Sequence, residues 1–177
     1  MIRVPVIAVI SSILLVQGIG SSADAAQKIA LSHNSKPAFT IVIPKNVSIV
    51  ENNAAKDLKH YLDRITGGSF NIIKEDAGYV DTKCIYVGKT NALAKTFPDF
   101  SLNSLGTDGI YITTSPKGDI YICGKGDRGT LYAVYTFLED FCGVRWWTID
   151  EETVPSNSSL KIDAPNLTYT PYMDYRD

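Results

Sequence analysis

Residues 119–149 read DIYICGKGDRGTLYAVYTFLEDFCGVRWWTI, and this stretch decides the fold. Ile120 and Ile122 alternate with Tyr121 and Cys123, the two-residue period of a strand. Gly124, Gly126 and Gly129 then bracket a charged turn, after which the period changes. Leu131, Val134, Tyr135, Leu138, Phe141 and Cys142 recur every three or four residues and lay one apolar stripe along a helix. Gly143 is placed to end that helix, and Val144-Arg145-Trp146-Trp147 follows as a second extended segment.

Working outward, residues 110–114 and 119–123 are two strands joined by Ser115-Pro116-Lys117-Gly118, the strongest hairpin signal in the chain. Further upstream, Ser48 followed by Glu51 is a capping box. It opens a helix with Ala54, Ala55, Leu58, Tyr61, Leu62 and Ile65 on one face, stopped by Gly67-Gly68. Segments 28–32 and 38–43 read as a hairpin through a polar turn that includes His33, and 70–74 and 83–87 as further strands. Thr90 or Asn91 caps a short helix ending at Pro98, and 159–162 adds an edge strand. The expected class is α+β: a two-layer arrangement of a mixed sheet with two main helices packed on it.

Arg3, the apolar run 4–16 and the A-x-A site Ala23-Asp24-Ala25 predict a secretory signal peptide over residues 1–25, cleaved after Ala25. The apolar run is short of the roughly 20 residues that span a bilayer, so no membrane span is expected in the mature chain. The chain is therefore expected to be exported, to the periplasm, the cell surface or the medium. One domain is predicted over 26–163, followed by a linker over 164–177 whose Tyr169, Tyr172, Met173 and Tyr175 have no following element to bury them. A net charge of −2 with no basic run gives no reason to expect nucleic acid.

The chemistry-bearing residues are scattered. Gly124-Lys125-Gly126-Asp127-Arg128-Gly129 matches G-x-G-x-x-G between a strand and a helix, with Asp150 or Glu151 about 20 residues on, the context of a dinucleotide loop. However, the preceding strand is the second arm of a hairpin, and too little chain follows for the rest of a nucleotide-binding sheet. The glycines are read instead as a structural turn that lets helix and sheet approach closely. Gly88-Lys89-Thr90 lacks the earlier glycine of a Walker loop, since position 83 is lysine. Asp150-Glu151-Glu152 is either an acidic turn or a pair of hydrolytic carboxylates. Cys84, Cys123 and Cys142 are three buried thiols, or two of them are bridged. His33 and His60 share no ligand-like spacing, and neither a metal nor another cofactor is expected. Trp146 and Trp147 face opposite ways on a strand, so one enters the core and the other covers an interface or stacks on a sugar.

The segment from Gly124 to Trp147, the helix from Glu51 to Gly68 and the closing Pro171-Tyr-Met-Asp-Tyr-Arg-Asp177 resemble the non-catalytic N-terminal domain of large exported glycoside hydrolases. That group includes the α-glucuronidases, the β-N-acetylhexosaminidases and the DUF4838-type proteins of gut Bacteroides. Ile149 departs from the pattern, since relatives often carry proline after the tryptophans. The resemblance implies a zincin-like topology, similar to hexosaminidase domain 2, without the metal motif. It also implies that the catalytic carboxylates belong to a (β/α)8 barrel that follows in cis, so no catalytic residue is assigned here. Arg128, Arg145, Trp146 and Trp147 are the candidate contacts to that barrel or to an oligo- or polysaccharide, because arginine and tryptophan anchor buried interfaces. The alternatives are an independent carbohydrate-binding module and a self-contained hydrolase using Asp150, Glu151 or Glu152.

Overall fold

The computed structural model describes residues 28–78 and 82–172. The expected leader over 1–25, its cleavage site and the tail Met173–Asp177 lie outside the described residues. In chain order the elements are β1 (Lys28–Ala30), β2 (Ser32–His33), β3 (Lys36–Pro37), β4 (Phe39–Ile43), α1 (Ile49–Thr66), β5 (Ile72–Lys74) and β6 (Lys83–Val87). They continue with α2 (Asn91–Thr96), a 3-10 turn (Leu102–Ser104), β7 (Ile110–Thr114), β8 (Ile120–Gly124) and α3 (Gly126–Thr136). A π-helical turn (Phe137–Phe141), β9 (Arg145–Trp146), β10 (Glu152–Thr153), β11 (Lys161–Asp163) and β12 (Asn166–Tyr169) complete the order.

A mixed six-stranded sheet with the order β12-β7-β8-β6-β4-β5 forms the centre. β4 pairs in parallel with both β5 and β6, and β6 in parallel with β8. β7 runs antiparallel between β8 and β12. Every residue of β4 and of β8 is buried, as expected of central strands covered on both faces. Ile41 lies beside Ile85, and Ile85 beside Ile120, so isoleucines line up across one face. α1, α3 and the π turn pack on that face, burying Ala54, Ala55, Leu58, Leu62, Ala133, Val134 and Phe137 against it.

The sequence reading and the structure differ in four places. Segment 28–32 does not pair with 38–43: β4 is a fully buried run and takes the interior of the sheet, while β1 pairs with β11. What remains of that hairpin is β2–β3, turned through Asn34 (φ 47°) and Ser35 (φ 60°), the paired positive dihedrals of a type I′ turn. The two-layer picture is incomplete, because Leu93 of α2 packs on Tyr121 and Cys123, the opposite face of β8 from Ile120 and Ile122. Gly126 and Gly129 lie inside the first turns of α3 and do not precede it. Finally, part of the stretch read as a linker is β12, which pairs along β7 from Asn166–Thr113 to Tyr169–Ile110.

Local chemistry sets the helix ends. Ser48 Oγ accepts the Glu51 amide at 3.1 Å while the Glu51 carboxylate accepts the Ser48 amide at 3.2 Å, and Gly67 ends α1 in the left-handed conformation. α2 is capped by the Thr90 hydroxyl, which accepts the Leu93 amide. In the π turn the Cys142 N–H donates to the Phe137 carbonyl, and Gly143 (φ 79°) releases the chain into β9.

Candidate functional site

Beyond Gly143 the chain forms the β9–β10 hairpin, with Glu152 opposite Trp146 and Thr153 opposite Arg145. Its base is tied to α1. The Trp146 indole donates to the Tyr61 hydroxyl at 2.9 Å, Tyr61 donates to Glu152 Oε2 at 2.6 Å, and Arg64 donates to Glu152 Oε1. Tyr61 and Arg64 lie three apart on one helix face, so both reach the same carboxylate. The hydrogen bond from Tyr61 and the Arg64 guanidinium hold Glu152 below the ordinary glutamate range, while burial and the facing carboxylate push the Tyr61 phenol up. Both Glu152 carboxylate oxygens are thus engaged in tying the hairpin base to α1. Asp150 and Glu151 are exposed on the hairpin turn.

The two tryptophans part as adjacent strand residues should. Trp146 is half-buried, edge-on to Tyr61 and 5.0 Å from the Tyr135 ring. Trp147 is 63% exposed, with its indole donating to the Thr153 hydroxyl, and Ile149 at the turn is 98% exposed. Arg145 donates to the Glu139 and Val144 carbonyls at 2.5 and 2.9 Å, which caps the carboxyl end of the π turn. Arg128 donates to the Tyr132 hydroxyl at 2.9 Å, lies over that ring, and is 3.6 Å from the Asp108 carboxylate.

A groove of about 220 Å³ opens beside this cluster, walled by Tyr132, Tyr135 and Trp146, with Tyr169 of the edge strand and the carboxyl groups Asp108 and Glu139. Of the four residues singled out from sequence, Trp146 lines it. Arg128 and Arg145 stand at its margin through Asp108 and Glu139, and Trp147 does not line it. Asp108, Tyr132, Tyr135 and Tyr169 were missed. Asp108 sits in the Gly106-Thr-Asp-Gly109 turn with φ 57°, a dihedral that aspartate tolerates and a turn motif hints at. Tyr132 and Tyr135 carry no such signal, since on a helix they read as ordinary half-buried positions, and Tyr169 read as part of a linker. Tyr135 donates to Asp57 at 3.1 Å, and burial together with that carboxylate pushes its phenol up to about 12.

The glycine turn is filled by protein. A Cβ on Gly124 would lie 2.2 Å from the Gly129 carbonyl carbon, and one on Gly129 would lie 3.0 Å from Gly124. Only Gly126, at φ 68°, faces open space, on a cleft of about 670 Å³ at the carboxyl ends of β4, β6 and β8. Ligands of open α/β sheets favour such an end. Here the Glu51 carboxylate accepts the Ser48 and Lys89 amides and itself occupies the anion position at the start of α1. A dinucleotide pyrophosphate would compete with that carboxylate.

Cys84, Cys123 and Cys142 are free and buried, so the bridged alternative is not realised. Burial raises all three thiols, Cys123 to about 12, which suppresses the reactive thiolate. His33 and His60 are exposed on separate elements. Among the described residues no cluster of three or more His, Cys, Asp or Glu side chains could hold a metal ion, and no helix is long and apolar enough to cross a membrane.

The family model described as glycosyl hydrolase family 67 N-terminus matches residues 25–137. No curated protein matches the chain. Among solved structures, a family GH115 4-O-methyl-α-glucuronidase, BtGH115A, with specificity for decorated arabinogalactans, is similar over 57% of this chain and 13% of its own, at 16% identity and TM-score 0.46. CpGH84D is similar over 78% of this chain and 21% of its own, at 16% identity and TM-score 0.44. The Flavobacterium johnsoniae chitobiase FjGH20 is similar over 81% and 20%, at 15% identity and TM-score 0.39. The chain thus spans only between 13% and 21% of the length of these three structures.

Proposed function

Because the chain belongs to the family of the glycosyl hydrolase family 67 N-terminus, we propose that it is the non-catalytic accessory domain of an exported glycoside hydrolase, flanking a (β/α)8 catalytic barrel in cis. The family match over residues 25–137 carries this reading. The mixed sheet with α1 and α3 on one face supports the further expectation of a hexosaminidase domain 2-like topology. The leader-like residues 1–25 support export.

The β9–β10 hairpin is our choice for the contact with the barrel. Its base is fixed on α1 through Trp146, Tyr61, Glu152 and Arg64, while its tip presents Trp147 and Ile149 to solvent. Large apolar side chains held out on a rigid support suit a buried interface, because little conformational entropy is lost when they are covered. Trp147 and Ile149 are then the anchors, with Arg145 and Trp146 as their support.

Two measurements test the reading. Sequencing the gene through Asp177 should give an open frame that continues into a barrel pattern. The purified 177-residue chain should leave aryl glycosides intact; turnover that disappears in Glu152→Gln would overturn the accessory role in favour of a self-contained hydrolase.

A further inference from the structure

We propose that the groove between α3, the start of β7 and the Trp146 ring binds a single neutral saccharide unit. The proposal deepens the accessory-domain reading and takes from it only that glycans are the ligands at hand.

A pyranose ring presents an apolar face of C–H groups and a rim of hydroxyls. A site for it needs aromatic walls and a few fixed polar groups at their edge. The groove supplies both. Tyr132, Tyr135, Trp146 and Tyr169 form the walls, and Asp108, Glu139 and the Thr136 hydroxyl stand among them as hydrogen-bonding groups. Its volume of about 220 Å³ is below the roughly 300–1,000 Å³ of pockets that enclose drug-sized ligands, which suits one ring.

The charges select a neutral ligand. Each carboxylate already has its arginine: Asp108 has Arg128 at 3.6 Å and Glu139 has Arg145 at 3.8 Å. The two carboxylates of the lining are thus balanced by the two arginines at its margin. A charged sugar would be desolvated there without an unmatched counter-charge, whereas hydroxyls gain acceptors that are already in place.

The walls are also held before a ligand arrives. Trp146 is fixed by its indole bond to Tyr61 and by ring contacts with Tyr61 and Tyr135. Tyr135 is held by Asp57 and Tyr132 by Arg128. Asp108 is set by its left-handed backbone, with a side chain only 13% exposed. Binding then orders little that is not already ordered, which is how a small contact area gives measurable affinity.

The two tryptophans allow a direct test. In the full chain carrying Trp147→Phe, Trp146 is the sole indole, and its emission is followed while xylotriose, cellotriose and mannotriose are added in turn, with glucuronate as the charged comparator. At least one neutral trisaccharide should give a saturable change with a Kd on the order of 1 mM, and glucuronate should not compete with it. Tyr132→Ala and Glu139→Gln, added singly to the Trp147→Phe chain, should each weaken binding about fivefold, the effect of losing one ordinary contact, with the melting temperature still well above that of the assay. A flat response to all three trisaccharides, or binding that neither substitution weakens, would overturn the proposal. Hydrolysis of aryl glycosides by the chain would break the accessory reading while leaving this binding result intact, so the two can fail separately.

Discussion

Replacing Gly124 with alanine should be among the most damaging small changes in the domain, because the space its Cβ would enter is occupied by backbone. The added atom would sit 2.2 Å from the Gly129 carbonyl carbon, 2.4 Å from its oxygen and 2.7 Å from the Gly109 oxygen. The first distance falls more than an ångström short of ordinary contact at 3.4 Å, and none of these atoms can swing aside as a side-chain tip would. The start of α3 must therefore back away from the end of β8. Ala133, Val134 and Phe137 have no exposed surface and pack under the same helix, so a shift of that size opens a gap beneath them. A gap of about 0.5–1 Å already forfeits a quarter to a half of each contact. Overpacking typically costs about 1–3 kcal/mol, and this case should reach about 3 kcal/mol or more, a loss of about 6–12 °C in Tm for a chain of this size. Gly126→Ala meets no atom within 4 Å and suffers only from its φ of 68°, about 1–2 kcal/mol. Gly129→Ala has contacts at 3.0 Å, offset in part by about 0.8–1.0 kcal/mol of helix propensity. Urea unfolding of the three variants should rank Gly124→Ala as the most destabilised. A Gly124→Ala midpoint equal to wild type, or a larger loss in Gly126→Ala, would refute the close-approach account of these glycines.

Acidification should lower Tm as pH falls below about 4, since a carboxylate with a depressed folded pKa stabilises fully above its unfolded value near 4.3 and loses that contribution as it protonates. Glu152→Gln should flatten that part of the Tm profile. Trp146→Ala should cost about 2–3 kcal/mol, below the 3–5 of a fully buried tryptophan, whereas Trp147→Ala should stay within about 0.5 kcal/mol in this chain; urea midpoints distinguish the two. All three thiols should resist a disulfide-exchange reagent in the native chain and react once denaturant is added, as a thiol count against time will show.

Local chemistry was legible from the residues. The Ser48–Glu51 capping box, the hairpin read over 110–123 and the Gly143 stop each depend on neighbours within a few positions, and each forms, the second hairpin strand shifted by one residue to Ile120–Gly124. The resemblance to N-terminal domains of glycoside hydrolases agrees with the family match at that coarse level. Pairings between distant segments were not legible. The apolar run of β4 marks a buried strand without naming its neighbours, and nothing in residues 28–32 points to 161–163 as their partner. β12 was hidden because Asn166-Leu-Thr-Tyr169, between Pro165 and Pro171, has the composition of a linker; only the vacant edge of β7 makes it a strand. The groove was half visible. Trp146 and Arg128 stood out by residue type, but the tyrosines that wall it come from α3 and β12, brought together by the sheet.

That edge strand changes where the domain can be cut. A recombinant version trimmed after Asp163, at the boundary suggested by composition, would strip β12 from β7 and leave a row of unpaired amides and carbonyls along Ile110–Thr114. A bare strand of that kind is a template for self-association. The trimmed protein would be prone to precipitate through edge-to-edge contacts even though its helices were all retained and only Ala164 and Leu167 were lost from the margin of the core. Solubility, more than any loss of helix content, would report the missing strand.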